Sequence, residues 1–264
     1  MTERYVLSLP DAYERRAKLK EQFDLLGLDF KILDAKRISK EEVEKLISGV
    51  GKNFFRIGVG AVGCFFSHIE AWKRIAKGVD RGGFVFEDDV IFSANAYEFL
   101  VGDEWIPECV DVCQLSYWPS VKHPKGRVFR VKRKLKIDKV NYELINIYSP
   151  CPWGTQGYWI SREGAEKALN MFDFRFEVPV DFFIYSKDSL FWRNSGVYSL
   201  TPAVVTERLG AISQRMAIDS QMLSTLVEST KNQDKKEECV RKPLGFLEMF
   251  ERMLCEKIWH GYEE

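Results

Sequence analysis

The most informative stretch of the chain is Phe84-Val-Phe-Glu87-Asp88-Asp89-Val90, in which three acids directly follow an apolar run. The apolar run is typical of a buried strand, and ligands of open α/β sheets bind beyond the carboxyl ends of strands. Adjacent carboxylates repel one another, and a hard divalent cation with oxygen ligands relieves that repulsion. We therefore predict a metal site at Glu87, Asp88 and Asp89, with a solvated acidic turn as the alternative.

Strand and helix patterns alternate on the amino-terminal side of this stretch. Tyr5–Leu9 is predicted as a buried strand ended by Pro10, and a helix is predicted from Asp11 to about Leu26. A second strand over Leu28–Leu33 is followed by a short helix over Ser39–Ser48 that begins with a capping box. This order predicts an α/β domain with a Rossmann-like, mainly parallel sheet.

Gly58-Val-Gly60-Ala-Val-Gly63 matches the spacing of the dinucleotide-binding fingerprint, and a helix is predicted from about Cys64. An NAD(P)- or flavin-dependent oxidoreductase is therefore a rival hypothesis. The fingerprint normally opens the first strand–helix–strand unit, whereas here two predicted strands precede it. A plain glycine loop before a helix, and a loop that approaches a nucleotide diphosphate, are the other interpretations.

The second half of the chain contains a basic segment and a polar stretch. A strand is predicted over Val112–Tyr117, and a β-hairpin over Gly126–Lys139 with seven Lys or Arg between residues 127 and 139. A helix is predicted over Ser161–Met171, with Ser161 as its cap. Residues near 229–243 are polar, and an amphipathic helix is predicted over Leu244–Trp259.

Composition limits the class of protein. The chain has 264 residues, 39 basic and 39 acidic side chains and a formal net charge of zero, which disfavours a general nucleic-acid binder. The amino terminus lacks the apolar segment of a secretory signal, and no apolar run has the length of a membrane span. We expect a cytoplasmic protein whose 6 cysteines are reduced thiols.

Six motifs, in order, resemble the bacterial family 25 glycosyltransferases, which include lipooligosaccharide galactosyltransferases and are related to collagen galactosyltransferases. The motifs are RYVLSLP, LDFKILDA, GVGAVGCFFSHIEAW, FVFEDDV, GTQGYWISREGAEKAL and PVDFF, within residues 4–215. The resemblance implies a GT-A fold for nucleotide-diphospho-sugars and inverting transfer from a UDP-sugar, with galactose as the expected sugar. Glucose and N-acetylglucosamine stay open as donor sugars.

The resemblance also assigns roles to residues. It implies a Mn²⁺ (or Mg²⁺) site at Glu87, Asp88 and Asp89, with Asp89 counted as catalytic. Donor binding is implied for Leu9, Pro10, Arg15, Arg16, Gly63, Ser67, His68, Glu87 and Asp88. Family members often carry Glu where this chain has Ala61, a departure that bears on substrate preference or rate.

The acceptor side is expected in the second half of the chain. The resemblance implies acceptor contacts at Gly154, Thr155 and Tyr158, and we add Arg130 and Arg133 of the basic segment for an anionic acceptor. Asp181 is the candidate base for the acceptor hydroxyl, although it could simply cap the following helix. A solvated hairpin is the plainer interpretation of the basic segment.

These assignments predict a catalytic domain over residues 1–215, with a nucleotide-sugar half over 1–110 and an acceptor half over 111–215. A helical extension would cover residues 216–264. The expected partners are a UDP-sugar and a lipid-linked, anionic glycan. Peripheral association of the protein with the inner face of the bacterial inner membrane is a further expectation. A catalytically silent carbohydrate-binding relative is a further alternative.

Overall fold

A computed structural model describes residues 2–46, 59–117, 127–137, 139–148, 154–172 and 178–207. The predicted polar linker and carboxy-terminal helix lie outside these ranges, as does the rest of the predicted extension. The strands are β1 (Glu3–Ser8), β2 (Lys31–Asp34), β3 (Gly82–Glu87), β4 (Val90–Phe92), β5 (Val112–Gln114), β6 (Ser116–Tyr117), β7 (Arg127–Ile137), β8 (Val140–Tyr148), β9 (Gly157–Ser161), β10 (Val197–Thr201) and β11 (Val205–Glu207). The helices are α1 (Tyr13–Leu26), α2 (Lys40–Leu46), α3 (Val59–Lys77), α4 (Ala96–Leu100), α5 (Arg162–Met171), α6 (Val180–Tyr185) and α7 (Leu190–Arg193).

The main sheet has eight strands among the described residues, in the order β2-β1-β3-β9-β5-β10-β8-β7. β1 pairs in parallel with both β2 and β3, and β10 pairs in parallel with β5. β9 and β8 run against this common direction. A smaller sheet joins β4, β11 and β6. The predicted α/β class, with a mostly parallel sheet of the GT-A type, is confirmed.

Helices cover both faces of the main sheet because its central strands are apolar on both sides. Tyr5, Leu7 and Val85 face a core that includes α3 and α5, whereas Phe84 and Phe86 face a second core that includes α1 and α4. This alternation is the two-residue period of a strand. Full burial of one such side chain contributes about 1.5–3 kcal/mol, so the strand that precedes the acids is held rigidly.

Two helix starts agree with the sequence prediction. The Ser39 hydroxyl accepts from the Glu42 N–H at 3.1 Å, and the Glu42 carboxylate accepts from the Ser39 N–H at 2.8 Å. The Ser161 hydroxyl accepts from the Gly164 N–H at 2.8 Å and caps α5. Both caps join a side chain to a backbone N–H three residues away, which is why local sequence predicts them.

The predicted start of α3 is wrong. The helix begins at Val59 rather than near Cys64, so Gly60 and Gly63 belong to its first turns. Gly58, the first glycine of the fingerprint, lies outside the described residues, and the fingerprint also allows its later glycines to lie in the first turns of the helix. The order of elements is what disfavours the oxidoreductase hypothesis, because β1 and β2 both precede α3. None of the described helices has the length and apolarity needed to cross a lipid bilayer.

Candidate active site

A pocket of about 460 Å³ opens where β1, β2 and β3 end and α3 begins. The strands run in parallel, so their carboxyl ends meet at one edge of the sheet and bring together segments that are distant in sequence. The pocket is lined by Leu7, Ser8, Leu9, Arg15, Ala35, Lys36, Arg37, Ile38, Val59, Gly60, Gly63, Cys64, Ser67, Glu87, Asp88 and Asp89. Of the predicted donor residues, Pro10, Arg16 and His68 lie outside this lining.

The three predicted metal ligands all line the pocket, but their surroundings differ. Asp88 is 7% exposed; one of its oxygens accepts from the Ser8 hydroxyl at 2.6 Å and the other lies 3.1 Å from an Arg15 nitrogen. Burial raises the pKa of Asp88 despite these two contacts. Asp89 is 5% exposed, and Glu87 accepts from the Thr155 hydroxyl at 2.8 Å. Buried acids gathered in one pocket are the arrangement that a cation stabilises.

The two predicted arginines have different roles. Arg15 lines the pocket and is half-exposed, so its guanidinium is accessible to a ligand. Arg16 donates to the Ser8 hydroxyl at 3.0 Å and to Asp34 at 2.6 Å, which ties α1 to the ends of β1 and β2. Arg16 therefore supports the pocket wall and is a structural residue.

Sequence reasoning missed two basic residues of the lining, Lys36 and Arg37. They follow the carboxyl end of β2, so the rule that located the acids after β3 also applies to them. Lys36 lies 3.0 Å from Glu42, and Arg37 lies 2.7 Å from Asp11. These exposed ion pairs are weak and leave both side chains able to turn toward an anionic ligand.

His68 and Tyr158 lie behind the pocket wall, fully buried. His68 Nδ1 is 2.8 Å from the Tyr158 hydroxyl, which accepts from Trp72 Nε1 at 2.8 Å. Burial lowers the pKa of His68 to about 3, so the imidazole is neutral. Tyr158 was expected to contact the acceptor, but β9 is buried on both faces and directs this side chain into the core. Its position corrects that expectation.

Cys64, His68 and Glu87 also form a cluster, because each offers a ligand atom within 4.8 Å of the others. Such a set of sulfur, nitrogen and oxygen suits a borderline-soft metal such as Zn²⁺. The hard-oxygen set of Glu87, Asp88 and Asp89 suits Mn²⁺ or Mg²⁺ instead. Glu87 belongs to both groups, so the protonation state of His68 decides whether the mixed set can bind a metal.

Asp181 lies outside the pocket lining and contacts the segment before β9. Its carboxylate accepts from the Gly154 N–H at 3.3 Å and from the Phe182 N–H at 2.9 Å. Thr155, the next residue after Gly154, contacts Glu87. Burial raises the pKa of Asp181, which makes it a better proton acceptor than an exposed aspartate. The N-cap of α6 is Pro179, so Asp181 is a first-turn residue that accepts from the Phe182 N–H and is not itself the cap.

The basic segment that was predicted as a hairpin forms one strand, β7, and β8 completes the hairpin. This basic hairpin lies far from the pocket. β7 pairs with β8 at the opposite end of the main sheet. Five strand spacings of about 4.8 Å separate β7 from β3, or about 24 Å. Arg133 donates to the Trp105 carbonyl, and the side chain of Arg130 lies outside the described part of the chain. Arg133 therefore lies away from the donor pocket, and its assignment to an anionic acceptor stays a prediction that concerns the distal part of such an acceptor.

The family described as "Glycosyltransferase family 25 (LPS biosynthesis protein)" matches residues 1–184, which is more than half of the chain. This chain belongs to glycosyltransferase family 25. The match includes the ends of β1, β2 and β3, so the pocket is built entirely from the family region. The chain is accordingly a glycosyltransferase.

Several relatives of this family 25 chain are bacterial proteins. The lacto-N-neotetraose biosynthesis glycosyltransferase LgtE of Neisseria meningitidis serogroup B is 30% identical over 89% of this chain and 83% of that protein. The glycosyltransferase LgtB of the same organism is 29% identical over 78% of this chain and 76% of that protein. The lipooligosaccharide biosynthesis protein lic2B of Haemophilus influenzae is 30% identical over 62% of this chain and 60% of that protein.

Among solved structures, a glycosyltransferase involved in the glycosylation of the major capsid of PBCV-1 matches with a TM-score of 0.43 and 10% identity. The match covers 79% of this chain and 93% of that chain. At these values the similarity supports no argument about this protein.

Proposed function

We propose that this chain is an inverting, metal-dependent galactosyltransferase that moves galactose from UDP-galactose to a lipooligosaccharide glycan. The observation that carries the proposal is the pocket itself. Glu87 and Asp89 face the same space as Arg15, Lys36 and Arg37. Acidic and basic side chains in one pocket fit a nucleotide diphosphate that is bound together with a divalent cation. A pocket with acidic side chains alone, or with basic side chains alone, would fit a ligand of a single charge.

The donor diphosphate would lie between the basic side chains and the first turns of α3. Arg15, Lys36 and Arg37 supply positive charge that the two phosphates require. Val59 and Gly60, at the first turn of the nineteen-residue helix α3, line the same pocket. Backbone N–H groups at a helix start favour phosphate oxygens, so this wall supports the same ligand.

The acids fit a hard divalent cation, Mn²⁺ or Mg²⁺, because every donor in the set is a carboxylate oxygen. Asp89 and Glu87 are the residues that would hold it. Both oxygens of Asp88 are engaged by Ser8 and Arg15, so Asp88 supports the wall between them. When bound, such a cation would stabilise the charge that develops on the leaving diphosphate.

Asp181 is the proposed base. An inverting transfer needs one carboxylate to accept the proton of the acceptor hydroxyl as that oxygen attacks the anomeric carbon. Burial raises the pKa of Asp181, and its contact with Gly154 places it beside the segment that touches Glu87. Gly154 and Thr155 are thus proposed to align the acceptor side with the donor side.

The acceptor proposal rests on the relatives. The names of two of them refer to lacto-N-neotetraose biosynthesis, and that of a third refers to lipooligosaccharide biosynthesis. A lipid-linked, anionic glycan at the inner face of the inner membrane is therefore the proposed acceptor. Galactose as the donor sugar follows from the family resemblance.

The test is a panel of UDP-sugars with lipooligosaccharide core acceptors, assayed with Mn²⁺, with Mg²⁺ and with excess chelator. We expect UDP release and product formation only with metal, the highest rate with UDP-galactose, and inverted anomeric configuration in the product. Transfer from another UDP-sugar alone would overturn the galactose assignment. Full activity in excess chelator would overturn the metal assignment, and retained configuration would overturn the inverting mechanism.

A further inference from the structure

A buried hydrogen-bonded chain runs from the core to the pocket wall and ends at His68. Trp72 Nε1 donates to the Tyr158 hydroxyl at 2.8 Å, because an indole N–H can only donate. Burial raises the pKa of Tyr158, so its hydroxyl keeps its proton. With one lone pair receiving the indole N–H, the hydroxyl proton is available to His68 Nδ1, also at 2.8 Å.

This order of donors favours one histidine tautomer. A neutral imidazole has one N–H and one bare nitrogen, and a bare Nδ1 gives the Tyr158 hydroxyl proton an acceptor. In this tautomer the ring proton is on Nε2. Within the described part of the chain, no acceptor lies within hydrogen-bond distance of this buried nitrogen. An ionic group nearby is Glu87, whose Oε1 lies 3.9 Å from His68 Nε2.

We propose that His68 is a positioning residue of the donor pocket, held by Tyr158 and Trp72 as the Nε2–H tautomer so that this N–H donates to Glu87 in the ligand-bound state. The Thr155 hydroxyl already donates to the same oxygen, Oε1. Two donors on one oxygen fix the rotation of the carboxylate. The contraction required, from 3.9 Å to hydrogen-bond distance, is the tightening expected when an active site closes on its substrate.

The same tautomer of His68 prevents the mixed cluster of Cys64, His68 and Glu87 from binding a metal. Cys64, His68 and Glu87 would bind Zn²⁺ only if a bare histidine nitrogen faced the ion. Nδ1 is taken by Tyr158, and Nε2 carries the proton. The role of His68 rests on the proposed function, because Glu87 is assigned to the donor pocket there, whereas its tautomer does not depend on that function.

The tautomer can be measured directly by ¹⁵N NMR of the full chain, which contains 3 histidines. Loss of a signal set in His68→Gln assigns His68. We expect a protonated Nε2 and a bare Nδ1, unchanged on addition of Zn²⁺. A proton on Nδ1, or a shift of the His68 signals with stoichiometric Zn²⁺, would overturn the proposal.

Turnover tests the positioning role. We expect Tyr158→Phe to lower kcat about tenfold, the equivalent of one hydrogen bond of about 1.4 kcal/mol, with little change in the acceptor KM. Tyr142→Phe is the matched control, since Tyr142 is also buried and its hydroxyl accepts from Asn95, away from the pocket lining. His68→Gln, which can keep a donor near the Nε2 position, should retain more kcat than His68→Leu.

Equal kcat for Tyr158→Phe and Tyr142→Phe, or for His68→Gln and His68→Leu, would overturn the positioning role. Absence of transfer by the unmodified chain with every nucleotide-sugar would overturn the proposed function and the role of His68 with it. The NMR result would still decide the tautomer in that case.

Discussion

Asp88 and Asp89 are adjacent and almost equally buried, yet we expect them to respond differently to the same substitution. Asp88 is held by Ser8 and Arg15, whereas Asp89 is proposed to hold the cation. Asp89→Asn should lower kcat at least about 10²-fold at saturating Mn²⁺, as loss of a main electrostatic stabiliser does. Asp88→Asn should lower kcat less, because its amide can still accept from Ser8. Equal losses in steady-state kinetics would contradict this division.

Asp181 connects catalysis to stability. Burial raises its pKa, and a carboxyl with a raised folded pKa contributes stability below its unfolded pKa that is lost as pH rises through the folded pKa. Asp181→Asn removes the buried charge, so the variant should be at least as stable as the unmodified chain near pH 8. That advantage should shrink as pH falls, because protonation of Asp181 removes the buried charge from the unmodified chain.

The same variant should lose about 10²-fold or more in kcat if Asp181 is the base. Denaturant unfolding across this pH range and steady-state kinetics measure both effects. A helix-capping role alone predicts the opposite pair of results, namely unchanged turnover and lower stability at every pH.

At the scale of elements, α3 approaches the segment after β2 very closely. A Cβ atom placed on Gly63 would lie 3.0 Å from the Lys36 carbonyl oxygen, whereas one on Gly60 would meet nothing within 4 Å. Gly63→Ala should therefore push α3 away from this wall, lower the Tm and raise the donor KM. Gly60→Ala, on the same helix, is the control for stability and should leave the Tm unchanged or higher. A Tm for Gly63→Ala at or above that of Gly60→Ala would contradict the close contact.

The basic hairpin gives a second prediction at this scale. Because β7 lies about 24 Å from β3, reversal of several charges between 127 and 139 should leave the KM for the donor and for a short acceptor unchanged. If the hairpin binds the distal part of an anionic core, only the KM for a long, phosphorylated acceptor should rise. Added salt should act in the same selective way. An unchanged KM for the long acceptor in the charge-reversed variant would indicate that the hairpin does not bind the acceptor and only makes the surface more soluble.

Sequence predicts a feature of this molecule well when the residues that determine the feature are close together in the chain. The caps at Ser39 and Ser161 each join two residues that are three positions apart, so the local sequence pattern predicts both caps. The orientation of Tyr158 could not be predicted, because β9 is buried on both faces and lacks the polar–apolar alternation that distinguishes them. The start of α3 was placed too late because glycine has a low intrinsic helix propensity, which the tertiary contacts of this helix outweigh.

At the scale of the whole molecule, the pocket is assembled from strand ends that are far apart in the chain. The acids after β3 were predicted because they follow an apolar run, but their contact with Ser8 and their proximity to Lys36 depend on strand order. Strand order arises from long-range pairing that no local pattern contains. The sequence therefore located the acidic half of the site and missed part of its basic half.

This assembly predicts that the ligands stabilise the whole catalytic fold. A ligand that binds only the folded state adds RT ln(1 + [L]/Kd), or about 2.7 kcal/mol at a hundredfold excess over Kd. For a chain of this size that corresponds to a rise in Tm of roughly 5–10 °C. We expect Mn²⁺ and UDP together to give this rise, and each alone to give less, because the cation and the diphosphate share one pocket. Asp89→Asn should abolish the Mn²⁺-dependent part in a thermal-unfolding assay while retaining the part due to UDP. NAD⁺ should leave the Tm unchanged, since the chain belongs to a glycosyltransferase family and two strands precede α3. A larger rise with NAD⁺ than with Mn²⁺ and UDP would restore the oxidoreductase hypothesis.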